Sequence, residues 1–236
     1  MPKPRTQAEL VDVDDPAWPE LEDSIKDSQV PVEVISIAPD QGRTVLHQLQ
    51  VTARSTLGAL ALNTGGLLID DGWLRILGGG GQDLPSLATA NNLDSPSEAS
   101  GSPSQMTVAF DVLGGQFAID GGGLDVEPGK VCYWAPDTLK WSSLGVGHTA
   151  FVEWALSEDG LVRFYEDMRW EGWRDEVKVV APSQGIALYP PLFSAEAYPL
   201  VNTSRRAVPF DEILGVNKSM ADQLTKPANH GTYMLP

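Results

Sequence analysis

The sequence is poor in four features, and each scarcity removes a class of function. It carries a single cysteine, Cys132, among 236 residues, which excludes an intrachain disulfide framework and a metal site built from several thiolates. Basic residues number 16 against 32 acidic ones, and the formal charge of −16 repels nucleic-acid phosphates and anionic lipid surfaces. No uninterrupted apolar run reaches the roughly 18 residues of a membrane helix, and the opening MPKPRTQAEL lacks the apolar stretch of a signal peptide. Recognisable reactive motifs are also missing. His47, His148 and His230 are too scattered for a zinc signature such as H-E-x-x-H, and no G-x-S-x-G elbow occurs. These gaps predict a cytoplasmic, non-enzymatic protein that has no cofactor and meets neither nucleic acid nor membrane.

The chain does contain the material of a folded core. Its hydrophobic share is 42%, with seven tryptophans, while 18 prolines and 23 glycines imply much irregular backbone. DVDDPAWPELEDSIKDS predicts a helix capped at Asp14 or Asp15, with Trp18, Leu21 and Ile25 inward. VEVISIA suits a strand, and Pro39 to Gln50 a second helix with Val45, Leu46 and Leu49 on one face. A helix or extended run then ends at Asn63. Asp71-Gly72 between apolar segments predicts a hairpin of strands Leu67 to Asp70 and Trp73 to Leu77, because a primed turn needs positive φ at its centre.

The composition turns to Gly, Ser, Pro, Asn and Asp between Gly78 and Gln105, which predicts a flexible surface excursion. Strand patterning resumes in MTVAFDVLGGQFAID and KVCYWAP. A helix capped by Thr149 carries Phe151, Trp154 and Ala155. A further helix is expected through DGLVRFYEDMRWEGW, with Leu161, Phe164, Tyr165 and Met168 inward. Beyond Pro182 the chain reads as irregular until a helix beginning at Pro209. The whole is a single α+β domain over 1–225, a mostly antiparallel, hairpin-rich sheet flanked by helices, with an insertion at about 78–105 and a polar tail at 226–236.

The glycine triplet in FAIDGGGLDVEPGKVCYW tests a nucleotide-binding alternative. A Walker loop needs a lysine and a hydroxyl at the start of a helix, and a dinucleotide fingerprint needs spaced glycines. Gly121, Gly122 and Gly123 lead instead to Leu124, Asp125 and Glu127, whose carboxylates repel a phosphate. A connection between two strands is expected.

Other chemistry comes down to a few residues. Cys132 and His148, with Asp137 as orienter, would form a thiol nucleophile if the fold brought them within hydrogen-bond reach, and a small-molecule site there is the alternative function. Paired carboxylates such as Asp70-Asp71 and Glu166-Asp167 read as solvated turn and helix residues, the latter holding Arg169 or Arg174 in surface ion pairs. Trp73, Trp134 and Trp154 are expected in the core. Trp141, Trp170 and Trp173, with Asp125, Glu127 and Glu171, are the candidates for a partner-binding surface, since tryptophan among charges favours interface hot spots.

NTGGLLIDDGWLRILG, GGQFAIDGGGLDVEPGKVCYWAPDTLKWSSLG and FVEWAL resemble the SUKH superfamily of Smi and Syd-like immunity proteins. DDPAW, GGLLIDDGWLRILG, APDTLKW and FYEDMRWEGW are similar, along nearly the whole chain, to the bacterial family called domain of unknown function 2625. The polar insertion after Gly81 departs from that pattern. The resemblance implies an α+β domain that binds other proteins, with immunity against a toxin or nuclease as one form of the role, and it supplies no catalytic residue. An acidic surface suits a basic protein partner independently.

Overall fold

The computed structural model describes residues 4–93, 95 and 103–225. The tail expected from 226 and the middle of the polar excursion lie outside these residues.

Seven strands follow one another in chain order across one antiparallel sheet: β1 (Val32–Ile35), β2 (Gly66–Ile69), β3 (Leu74–Leu77), β4 (Gln105–Asp111), β5 (Gln116–Asp120), β6 (Val131–Ala135) and β7 (Lys140–Ser143). A separate hairpin pairs β8 (Gln184–Tyr189) with β9 (Ser204–Pro209). The helices are α1 (Gln7–Val11), α2 (Trp18–Lys26), α3 (Pro39–Leu49), α4 (Thr56–Asn63), α5 (Leu87–Ala90), α6 (His148–Ala155), α7 (Glu158–Phe164), α8 (Trp173–Val177) and α9 (Phe210–Thr225). The α+β architecture is the one expected. Among the described residues no helix is long and apolar enough to cross a membrane.

Strand alternation gives the sheet two faces. Leu67, Ile76, Ala109, Phe117 and Tyr133 lie opposite one another across β2 to β6 and are all buried. Phe117 stacks on Phe151 of α6 at 5.0 Å and approaches Phe164 of α7 at 6.0 Å, so helices cover this face. The reverse face carries the row Glu33, Leu68, Arg75, Phe110, Gln116, Trp134 and Trp141. There the β8–β9 hairpin and α9 provide cover: Phe210 meets Phe110 at 4.8 Å, and Ile186 donates its N–H to the Val112 carbonyl at 2.7 Å.

The primed turn forms as predicted, with Asp71 (φ 58°) and Gly72 (φ 86°) at its centre and the Trp73 N–H closing on the Asp70 carbonyl at 3.1 Å. Asp70 is itself left-handed at φ 52°, so β2 stops one residue early, at Ile69.

The glycine triplet joins neighbouring strands β5 and β6. Only Gly122 is left-handed (φ 99°), while a Cβ on Gly121 or Gly123 would strike the backbone or side chain of Pro103 and Ser104. The loop does cradle an anion, but the anion is the protein's own. The Asp120 carboxylate accepts N–H bonds from Gly122, Leu124, Val126 and Glu127. Desolvation pushes its pKa up, and the four bonds outweigh that and hold it below the ordinary aspartate value.

Several elements differ from expectation. Gly78 to Leu93 is packed: Leu84, Leu87 and Ala88 are buried, Ser86 caps α5, and Asn91 exchanges two hydrogen bonds with the Thr107 backbone beside a bulge in β4. Helix α2 is preceded by Ala17 rather than capped by Asp14 or Asp15, and α6 starts at His148, one residue before the expected cap. The supposed helix through RWEGW breaks into α7, a 3₁₀ turn at Glu166–Met168 and α8, with Arg169 extended and Gly172 left-handed at φ 79°. The stretch after Pro182 forms β8 and β9 instead of irregular chain.

Candidate functional site

The break after α7 exists around one carboxylate. Asp70 is 1% exposed and accepts a hydrogen bond from Arg169 Nη2 at 2.6 Å and another from Arg174 Nη2 at 3.0 Å. Asp71 adds a contact to Arg174 Nε at 3.6 Å. Two arginines five residues apart reach one acid because the chain between them is extended and then reversed at Gly172. Asp70 is thus a buried ion rather than a solvated turn residue, and Glu166 and Asp167 do not hold these arginines. The Arg169 guanidinium lies 4.2 Å from the Trp173 ring centre and 4.9 Å from that of Trp73.

A second clamp fixes the same segment to the β8–β9 hairpin. Glu176 accepts from Trp170 Nε1 at 2.9 Å and from Arg205 Nε at 2.9 Å, and Arg205 stacks over Trp170 at 4.8 Å. Trp170, expected on the surface, is consequently 5% exposed, and Trp173 packs edge-on against Trp73 at 4.9 Å. These two are anchors of the scaffold; Trp173 stays partly exposed, and Trp170 lines a surface cleft.

That surface is a cleft of about 640 Å³ lined by Asp137, Asp167, Arg169, Trp170, Glu171 and the Tyr198–Val201 segment. Asp137 comes from the β6–β7 turn, Asp167 and Glu171 from either side of Arg169, and Tyr198 and Val201 from the stretch before β9. Tyr198 and Val201 are 45% and 65% exposed, which leaves apolar area open beside three carboxylates. The Tyr198 phenol is pushed up by burial first and then by the charges of Asp137 and Asp167, so their fields converge there. Arg169 also lines the cleft, and its charge is partly offset by Asp70, which it shares with Arg174.

The other partner-binding candidates lie elsewhere. Asp125 and Glu127 are exposed in the β5–β6 loop, where Glu127 accepts from Ser143 Oγ, and Trp141 is half-buried on β7 opposite Trp134. None of the three lines the cleft. Of the residues lining the cleft, Trp170 and Glu171 are partner-binding candidates from the sequence and Asp137 is the candidate orienter of the thiol, whereas Asp167 reads as a solvated helix residue and Tyr198 and Val201 carry no motif.

The thiol dyad is not assembled. Cys132 is buried on β6, with the Lys130 carbonyl 4.0 Å from Sγ as its polar neighbour, and burial together with Asp120 and Glu127 pushes its thiol up, away from nucleophilic character. His148 opens α6 with both ring nitrogens buried and unbonded, and burial lowers it to about 4. Asp137 bonds its own neighbour, the Thr138 N–H, at 2.8 Å. No hydrogen bond links the three residues.

The family model for "Protein of unknown function DUF2625" matches residues 7–213. The chain belongs to the DUF2625 family. Among its relatives, the "Putative uncharacterized protein YbfG" of Escherichia coli (strain K12) is 38% identical over 224 residues, covering 94% of this chain and all of that one. An uncharacterised protein of Haemophilus influenzae is 35% identical over 189 residues, covering 80% and 82% of the two chains. No solved structure matches this DUF2625 chain significantly.

Proposed function

We propose that this protein is a non-enzymatic acidic binding module whose cleft at Asp137, Asp167 and Glu171 receives a basic segment of another protein. The observation that carries the reading is the convergence of three carboxylates with exposed Tyr198 and Val201 around one concavity. Hot spots combine an apolar seat with a specific polar group, and a lysine or arginine with its aliphatic stem supplies the complement to both. The cleft takes one or two anchor side chains, and a stable interface of about 800 Å² per partner must extend beyond it. The net charge of −16 supports the same choice, because it accelerates encounter with a cationic protein. The SUKH resemblance suggests the class of partner: a basic toxin or nuclease that the module neutralises.

The test compares what the wild-type protein and the Asp167→Lys/Glu171→Lys variant retain from a lysate of the source cells at low and high salt. A basic protein held by the wild type, released by salt and absent from the variant is the expected result. Equal retention by the variant would show that the cleft does not do the binding.

A further inference from the structure

Arg75 poses a separate problem on the reverse face of the sheet. It sits in β3 between Leu68 and Phe110 and is 1% exposed. Burying a cation costs several kcal/mol unless its donors are met and a counter-charge is near. Two groups are met: Nε donates to the Gly72 carbonyl at 3.2 Å and Nη1 to the Gln184 carbonyl. Nη2 is buried with no partner, and among the described residues no carboxylate forms an ion pair with the group. Asp111 acts on Arg75 only through its field, and its own oxygens are occupied by two backbone N–H groups and the hydroxyls of Tyr133 and Tyr165. Burial lowers the guanidinium to about 10, which marks a charge short of compensation.

Arg75 also lines a cavity of about 200 Å³, with Val32, Leu68, Val180, Pro182 and Lys178. Gly72, on the same wall, is buried, yet a Cβ added to it would meet no atom within 4 Å. The space is several times the ~30 Å³ share of one liquid water and falls below the roughly 300 Å³ at which pockets for drug-sized ligands begin.

We infer that this cavity is a binding site for a small monocarboxylate with an apolar body. Arg75, which lines the space and keeps one donor unspent, supplies the anion contact, Lys178 adds a second cation, and the valine, leucine and proline walls take a short aliphatic chain. Glu33 and Asp71 also line the space and offset its two cations, so a dianion such as phosphate is repelled more strongly than a monoanion. The site shares no residue with the Asp137–Asp167–Glu171 cleft, and its fate is independent of the protein-binding role.

The probes are isovalerate, its neutral isostere isovaleramide, and inorganic phosphate, each titrated into the full chain at matched ionic strength by calorimetry and by melting temperature. Binding to the folded state raises the melting temperature by mass action. Isovalerate is expected to bind saturably and raise it, and the other two are not. Arg75→Leu should abolish the response. Since that change alters a buried network, Val180→Trp provides a second route: it fills the cavity while leaving Arg75 in the chain and should weaken isovalerate binding at least about tenfold. An absent isovalerate response, equal responses to the amide or phosphate, or undiminished binding by Val180→Trp would each overturn the assignment.

Discussion

Replacing Asp70 by alanine would leave the largely buried Arg169 and the half-exposed Arg174 without the carboxylate they share. Breaking a buried ion pair from one side costs about 3–5 kcal/mol, and chemical denaturation should show a loss of that order. Combining Asp70→Ala with Arg169→Met should cost less than the sum of the separate changes. His148 gives the pH test. Its pKa is 6.5 when free and about 4 in the fold, where burial disfavours the cation. The unfolded chain therefore binds a proton that the folded chain refuses. Stability contributed by the neutral ring is present above the free value and lost as pH falls from about 6.5 towards 4, on the order of 3 kcal/mol in total. His148→Phe should flatten that part of the stability–pH profile, and an unchanged profile would show that His148 does not cause it. Individual residues were the hardest scale to read from sequence. An aspartate in a DDG turn is usually solvated; nothing local announces that Asp70 turns inward to meet arginines about a hundred positions away.

Elements were more legible where the signal was local. Asp71-Gly72 specified its turn through the φ that glycine tolerates, and the apolar spacing of Val45, Leu46 and Leu49 placed α3 to within a residue. Patterning failed where long-range partners decide the backbone. Residues 165–177 carry helical spacing but bend to satisfy Asp70, and β8 and β9 lean on Val112 and Phe110. Gly78 to Leu93 looked unanchored because its composition is polar, while a few residues hold it. Leu87 is fully buried, so Leu87→Ala should cost about 2–5 kcal/mol, measurable by thermal or urea unfolding. A loss below half a kcal/mol would return this segment to the status of a loose loop.

At the scale of the molecule, composition foretold a folded acidic α+β domain, and it could not foretell where the acidity gathers. Asp137, Asp167 and Glu171 meet at the cleft because β6–β7, the break after α7 and the approach to β9 converge. The partner-binding candidates Asp125, Glu127 and Trp141 lie away from it. The carboxylates at the cleft rim are solvated, so Asp167→Lys/Glu171→Lys should leave stability within about 0.5 kcal/mol while removing attraction for a cation. In the proposed role, this local field selects a basic partner. Its most direct test is the association rate constant of the captured partner, followed against ionic strength for the wild type and for that double variant. The wild-type rate should fall steeply with salt, and the variant rate should be slower and nearly flat. Two superimposable salt dependences would contradict it.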